Sequence, residues 1–253
     1  MSRHKILLLG LGFWGDRWIK TLLETPNCEM AGISAAGTQS IDRICRAYGV
    51  PKELGHTDYK RAIEKADADI VVISLPTLLH RDAAVRAMDR GMHVICEKPL
   101  AASRAEADAI VECKRKYPTL KFMVAQNYRW RPHNQAIKQA LREGLIGRCG
   151  SVKYEFRQPE CFIGYRKFLD MPLLQDVCIH HFDLIRFFTA CDCEKVFACT
   201  YRPSWSRYQG SPSTDVILFM ENGVVANYNG TWAARGADTS WDGNITITGD
   251  KGC

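Results

Sequence analysis

The chain has 253 residues, a formal net charge of +6 and 46% hydrophobic residues, which is ordinary for a globular protein of one or two domains. No apolar run approaches the roughly 18 residues of a bilayer-spanning helix, and the run at 6–9 is too short for a signal-peptide core. The eleven cysteines lack metal-ligand spacing, and the basic residues form no run typical of nucleic-acid binding. We therefore expect a cytoplasmic chain with reduced thiols and without membrane or nucleic-acid partners.

The first half of the chain alternates short apolar runs with segments of helical periodicity. The runs predict buried strands at residues 5–9, 29–34, 70–74, 93–96 and 122–125. The segments between them predict helices at residues 13–23, 40–48, 59–66, 79–90 and 105–117. This rhythm indicates an α/β Rossmann domain, a doubly wound parallel sheet with helices on both faces, over residues 1–127.

The pattern changes in the second half. After a helix at 132–143, alternating segments predict strands at 152–157, 196–201, 216–220, 224–232 and 245–248. One helix is predicted among them, at 174–189. Residues 128–253 are therefore expected to form an α+β domain with a mostly antiparallel open sheet.

The motif GLGFWG, residues 10–15, joins the first predicted strand to the first helix. Gly10 permits a tight turn, Gly12 lets the backbone approach a pyrophosphate, and Gly15 lets the helix pack closely on the strand. Phe13 and Trp14 open the helix, whose free N–H groups attract a phosphate. The motif predicts a dinucleotide site, and the alternative is a glycine-rich turn that serves packing alone.

The end of the second predicted strand bears on the choice between NAD and NADP. An acidic residue there would bind the ribose hydroxyls of NAD, but this chain has Ser34, followed by two alanines. Arg43 lies one or two turns into the next helix, within reach of a 2′-phosphate. The pattern favours NADP over NAD, and the alternative is a surface arginine without a cofactor contact.

The predicted strand at 93–96 is followed by Glu97, Lys98 and Pro99. Ligands of open α/β sheets bind at the carboxyl ends of the strands, so Lys98 is predicted to point into the cofactor crevice. Pro99 fixes the local backbone, and a cis bond before it would redirect Lys98. Taken alone, a single lysine is more often a solvated charge.

The helix predicted at 174–189 carries an acid and an imidazole four residues apart. Asp176 and His180 would share one face of that helix, with Asp183 on an adjoining face. Such a pair suits acid–base chemistry, because the carboxylate fixes the imidazole tautomer and the imidazole moves a proton near neutral pH. The alternatives are a surface ion pair and a zinc site, and no metal is assigned to the chain.

In order and spacing, four motifs resemble those of the glucose–fructose oxidoreductase / inositol dehydrogenase family: Gly10-x-Gly12-x-x-Gly15, Pro76-x-x-x-His80, Glu97-Lys98-Pro99 and Asp176-x-x-x-His180-x-x-Asp183. The resemblance runs from Lys5 to about Gly249. It implies that Pro76, His80 and Glu97 belong to the cofactor site. It also implies that Lys98 lies near the substrate hydroxyl and the nicotinamide, that His180 transfers the proton, and that Asp176 binds substrate and orients the imidazole.

The chain departs from this family in three places. Met171 and Pro172 replace a glycine pair often found before the helix, and Thr77 stands where an asparagine is common. Family members usually continue well past the last predicted strand, so we expect a chain shortened at its carboxyl end. The resemblance also implies a homo-oligomer that forms through the open sheet.

The expected reaction is hydride transfer between a nicotinamide and a carbinol or carbonyl carbon of a sugar, a polyol or a related small molecule. His180 would accept the hydroxyl proton and Lys98 would stabilise the alkoxide. Arg129 and Tyr165 are candidate substrate residues, with loop or packing roles as the alternative. Two other functions are compatible with the sequence: a dinucleotide-binding sensor without turnover, and a reductase of a non-sugar carbonyl or imine.

Overall fold

The computed structural model describes residues 3–162 and 164–253, with the backbone alone at 164 and 165. The chain divides into two compact units, Met1–Ala125 and Gln126–Cys253. No helix among the described residues combines the length and the apolar character that crossing a bilayer requires.

The first unit contains a six-stranded parallel sheet in the order β3-β2-β1-β4-β5-β6. Its strands are β1 His4–Leu9, β2 Cys28–Ser34, β3 Gly55–His56, β4 Ile70–Ile73, β5 His93–Cys96 and β6 Phe122–Val124. The doubly wound Rossmann fold predicted for this part of the chain is confirmed. Only β3 was not predicted, because two residues carry no periodicity.

Helices cover both faces of this sheet, because alternate side chains of a strand point to opposite faces. The helices are α1 Phe13–Glu24, α2 Thr38–Tyr48, α3 Tyr59–Lys65, α4 His80–Asp89 and α5 Arg104–Lys116. Ile6 and Leu8 of β1 belong to a core cluster with residues of α1 and α2. Leu7 and Leu9 belong to a second cluster, with residues of α3, α4 and α5.

The second unit contains a five-stranded sheet in the order β11-β7-β10-β9-β8. Its strands are β7 Cys149–Arg157, β8 Cys193–Tyr201, β9 Ser213–Met220, β10 Val225–Thr231 and β11 Asn244–Gly249. Only β7 and β10 run parallel, and the other three neighbouring pairs are antiparallel. The predicted mostly antiparallel sheet is therefore confirmed.

The second unit also contains α6 Pro132–Arg142, α7 Pro172–Asp176 and α8 Cys178–Thr189. The core of the unit lies between one face of the sheet and these helices. Tyr154 and Tyr228 from the sheet pack in one cluster with Leu184 and Phe188 of α8. The strand β8 is mostly exposed, with Phe197 at 66%.

The prediction of one helix over residues 174–189 is wrong, because the segment is broken at Val177. Val177 has φ −105° and ψ −32°, away from regular helix geometry. The amide of Val177 donates to the carbonyl of Leu173, four residues back, but that of His180 donates to Val177, only three back. A β-branched residue has restricted side-chain rotamers in a helix, which weakens continuity at this point. Asp176 and His180 therefore lie on two successive helices.

His181 is fully buried in the core of the second unit. Its Nε2 lies 3.2 Å from the carbonyl oxygen of Trp241, and its Nδ1 lies 2.9 Å from the hydroxyl of Tyr228. A carbonyl can only accept, so Nε2 carries the proton and Nδ1 accepts from Tyr228. Burial lowers the pKa of His181 to about 4, below its ordinary value of 6.5.

We predict that His181 makes the protein less stable as the pH falls from 6.5 to about 4. In this window the unfolded imidazole binds a proton that the folded one does not, so the unfolded state gains on acidification. The loss over the whole window is on the order of 3 kcal/mol. Urea unfolding across this pH range should show that the free energy of unfolding falls less steeply with falling pH in His181→Gln than in the wild type. Equal pH dependence of the two proteins would contradict the prediction.

Candidate functional site

Two glycines of the GLGFWG loop allow backbone segments to pack in contact. Gly10 has φ +94°, and a Cβ there would lie 2.2 Å from the carbonyl oxygen of Ser74, at the end of β4. A Cβ on Gly15 would lie 2.0 Å from the carbonyl oxygen of Gly10. No side chain fits at either position, so both glycines are required for packing of the loop and α1.

Gly12, between them, faces open space, and a Cβ there would meet nothing within 4 Å. It is also the N-cap of α1, and it provides no side chain to cap the first-turn N–H groups. Open space beside the free N–H groups of a helix start suits the pyrophosphate of a dinucleotide. Phe13 and Trp14, the first two residues of α1, are exposed, Phe13 at 66% and Trp14 at 40%.

Ser34 and Arg43, which were predicted to meet the adenosine ribose, differ in how far they are exposed to solvent. Ser34 is only 1% exposed, and its carbonyl accepts a hydrogen bond from the backbone N–H of Gly10 at 2.8 Å. The guanidinium of Arg43 lies at the rim of the loop, where Nη2 donates to the carbonyl of Leu11 at 2.9 Å and Nη1 pairs with Asp16. The hydrogen bonds from Arg43 and then from Tyr48 lower the pKa of Asp16.

His80 is buried at the start of α4 and contacts two loops that follow strands. Its Nδ1 lies 2.9 Å from the carbonyl oxygen of Pro99, and its Nε2 lies 2.8 Å from that of Leu75. Both partners are carbonyl oxygens, so a neutral imidazole donates to one of them and only contacts the other, and both ring nitrogens face protein. Pro76, the other member of this motif, is exposed and precedes a short 3₁₀ turn at Thr77–Leu79.

The turn of Glu97 and Lys98 is attached to α1 through a residue that the sequence did not single out. The indole Nε1 of Trp18 donates to Oε1 of Glu97 at 2.8 Å. The other carboxylate oxygen of Glu97 accepts from the backbone N–H of Lys98 at 3.2 Å. Glu97 therefore holds the backbone that carries Lys98, and the Lys98–Pro99 bond is cis.

In the second unit, Asp176 and Arg166 form a half-buried ion pair. Nε of Arg166 donates to Oδ2 of Asp176 at 2.6 Å. Arg166 belongs to the 3₁₀ turn Gly164–Phe168. Tyr165, predicted beside it as a substrate residue, has a side chain outside the described residues.

Arg129, another predicted substrate residue, forms a bidentate ion pair with Asp183. Both N–O distances are 2.6 Å, and the Asp183 side chain is 11% exposed. The hydrogen bonds that Arg129 donates to Asp183 raise the pKa of Arg129. This fork-to-fork geometry joins the 3₁₀ turn Asn127–Trp130 to α8.

His180 is 6% exposed and stacks on the ring of Tyr128. The ring centroids are 4.3 Å apart and the planes are inclined by 5°. Arg131 also lies against the Tyr128 ring, with its guanidinium carbon 3.5 Å from the centroid, and pairs with Asp242. Sequence reasoning missed Tyr128 and Asp242. The chain carries no local signal for Asp242, because its partner Arg131 lies 111 residues away.

The glycine cradle and the strand-end lysine define a dinucleotide-binding oxidoreductase, and comparison with protein families gives the same class. The family model described as "Oxidoreductase family, NAD-binding Rossmann fold" matches residues 4–126. The "GFO/IDH/MocA C-terminal domain" matches residues 134–253. The chain therefore belongs to the Gfo/Idh/MocA oxidoreductase family.

Two curated relatives illustrate the similarity. The chain is 31% identical to inositol 2-dehydrogenase of Rhizobium meliloti over 253 residues, covering 97% of this chain and 73% of the relative. It is 29% identical to D-apiose dehydrogenase of Paraburkholderia graminis over 241 residues, covering 94% of this chain and 63% of the relative. The chain thus spans less than two thirds of the second relative's length.

Two solved structures share the fold. An oxidoreductase from Agrobacterium radiobacter, in complex with NAD+, L-tartaric acid and magnesium, superposes with a TM-score of 0.91 at 23% identity, covering 98% of this chain and 72% of its own. Myo-inositol 2-dehydrogenase from Lactobacillus plantarum gives a TM-score of 0.87 at 24% identity, covering 99% and 75%.

We predict opposite results for alanine at two glycines of the loop. Gly10→Ala places a Cβ against the Ser74 carbonyl at positive φ and should lower the free energy of unfolding by about 2 kcal/mol or more. Gly12→Ala points into open space and should fold with a stability within about 0.5 kcal/mol of the wild type, but its methyl group would take up space where the pyrophosphate is expected.

Urea unfolding and cofactor titration of the two variants measure both effects. The Gly12→Ala protein should bind nicotinamide dinucleotides at least about tenfold more weakly than the wild type, a loss of about 1.4 kcal/mol. Wild-type affinity in this variant would mean that the cradle is not the phosphate site.

Proposed function

We propose that this chain is an NAD(P)-dependent oxidoreductase that transfers a hydride between nicotinamide and a carbinol or carbonyl carbon of a sugar or polyol. The main support is His180, whose imidazole is 6% exposed and is held parallel to the ring of Tyr128, since a general base must be kept in a defined orientation. Relatives named inositol 2-dehydrogenase and D-apiose dehydrogenase support the class of substrate.

A bound nicotinamide supplies the hydride acceptor in this proposal. The work of the protein is then to manage the charge on the substrate oxygen. His180 takes the proton of the hydroxyl as the carbon–hydrogen bond breaks and the carbonyl forms. The ammonium of Lys98 stabilises the negative charge that develops on the same oxygen. Asp176 binds a substrate hydroxyl and orients the imidazole.

The residues around these groups are suited to holding them in place. Glu97 accepts from the backbone of Lys98 and from Trp18, so the turn that carries the ammonium is fixed at two points. Asp176 accepts from Arg166, which holds the carboxylate. Preorganised groups of this kind contribute to catalysis because they need not reorganise as charge develops.

The decisive experiment is a spectrophotometric screen of sugars and polyols with NAD and NADP, run in both directions. Reduction of cofactor by a polyol supports the proposal. Binding of cofactor without reduction by any substrate would instead indicate a sensor. Turnover confined to reduced cofactor and a non-sugar carbonyl or imine would indicate a reductase.

We predict that His180→Ala lowers kcat by about 10²–10⁴-fold, because general-base assistance is lost. The dissociation constant for the cofactor should stay within about twofold, since the dinucleotide motif lies elsewhere in the chain. His4→Ala, which removes an exposed imidazole in β1, serves as the matched control with wild-type turnover. A His180→Ala protein as active as this control would exclude the base assignment.

We further propose that the cofactor is NADP, with Arg43 as the residue that meets the 2′-phosphate. Two observations support the proposal. No carboxylate occurs at the end of β2 or in the turn from Ala35 to Gly37, and the Arg43 guanidinium lies at the rim of the glycine loop. Asp16 pairs with the same guanidinium and partly neutralises it, which limits the selectivity to be expected.

We predict that Arg43→Gln weakens NADPH binding by roughly tenfold, the loss expected for one charge-assisted hydrogen bond, and leaves NADH within about twofold. Asp16→Asn should act in the opposite direction and tighten NADPH, because it removes the competing carboxylate. Dissociation constants from tryptophan fluorescence would measure both. A wild-type protein that prefers NADH, with no change in Arg43→Gln, would contradict the assignment.

A further inference from the structure

We propose that Tyr128 is a positioning residue for His180, holding the imidazole plane through ring stacking. The inference rests on the proposed function of His180 as the proton acceptor. The two ring planes are nearly parallel, inclined by 5°, with centroids 4.3 Å apart. Both side chains are buried, at 6% exposure each, so the stack is enclosed by protein.

The opposite face of the Tyr128 ring is taken by Arg131. Its guanidinium carbon lies 3.5 Å from the ring centroid. Two planar groups at 3.5 Å and 4.3 Å from one centroid would overlap on the same face, so they occupy opposite faces. Tyr128 is thus held between a guanidinium and an imidazole, and both contacts use the electron-rich faces of the ring.

Tyr128 and Arg131 are themselves anchored to the loop that precedes β11. The side chain of Asn134 donates to the Tyr128 carbonyl at 3.0 Å and to Asp242 at 3.1 Å. Arg131 pairs with Asp242, and His133 lies 3.2 Å from the same carboxylate. The hydroxyl of Tyr154 donates to the Asp242 backbone carbonyl. Asp242 therefore fixes the residues on which the His180 stack is built.

The stack restrains the rotation that matters most for an imidazole base. The χ2 torsion of histidine is broad and roughly twofold, so packing must select the ring plane. A parallel aromatic neighbour permits small sliding but opposes rotation of the plane. Proton transfer requires a ring nitrogen within hydrogen-bond reach of the hydroxyl, so loss of the plane lowers the rate. Burial also raises the pKa of the Tyr128 phenol, so the platform stays neutral.

The test compares Tyr128→Phe, which keeps the ring, with Tyr128→Met, which fills similar volume without a plane. With the substrate found in the screen, Tyr128→Met should lower kcat roughly tenfold at an unchanged cofactor dissociation constant. Tyr128→Phe should retain kcat within about twofold. If Tyr128 only filled volume, the Phe and Met variants would have similar kcat.

Equal kcat in the Met variant and the wild type, or an equal loss in the Phe and Met variants, would overturn the inference. Should Tyr128→Met not fold, Arg131→Gln offers a second route, because it removes the guanidinium from the far face and leaves the ring. It should lower kcat by about two- to fivefold, and no change would again count against the proposal. If the screen finds no turnover, the proposed function fails. If the wild type turns over and His180→Ala is equally active, the function stands, but the base assignment of His180 fails, and the inference about Tyr128 fails with it.

Discussion

The tightest packing in the first unit is the contact between the glycine loop and the neighbouring backbone. Carbonyl oxygens of Ser74 and Gly10 occupy the volume that a Cβ of Gly10 or Gly15 would need. This contact fixes where α1 begins, and therefore where Trp18, on its second turn, projects. Trp18 reaches Glu97 from that position, and Glu97 accepts from the backbone of Lys98. One packing constraint thus sets both the open cradle at Gly12 and the turn that carries the lysine.

The second unit depends instead on a polar network that joins a loop to a helix beside the aromatic core. Asp242 joins the loop before β11 to Arg131, His133 and Asn134 at the start of α6. The adjacent Trp241 carbonyl accepts from the buried His181. Buried polar groups are costly unless every partner is supplied, so such a network selects one arrangement of loop and helices. His180 and His181 are neighbours in sequence, yet one stacks on Tyr128 and the other bonds within the core.

Features that depend on residues close in sequence could be predicted, whereas contacts between residues distant in sequence could not. The continuous apolar run from Ile6 to Leu9 is local, and it correctly predicted a buried strand, whose side chains enter the core clusters on both faces of the sheet. The break at Val177 was missed because an apolar periodic segment reads as one helix, whichever hydrogen bonds its backbone finally makes. The Tyr128 stack and the Asp242 anchor join residues that are distant in sequence, and a single chain carries no pattern for them.

Several arginines of the second unit pair with aspartates, and this chemistry bears on the assignment of roles. Arginine has no acceptor, so an aspartate oxygen that contacts it must itself accept. Oδ2 of Asp176 faces Arg166 in this way, and both oxygens of Asp183 face Arg129. Carboxylates engaged by guanidinium groups are well placed to orient neighbouring groups and poorly placed to collect a proton at the engaged oxygen. This chemistry supports the proposal that the imidazole, within the Asp176, His180 and Asp183 motif, accepts the substrate proton.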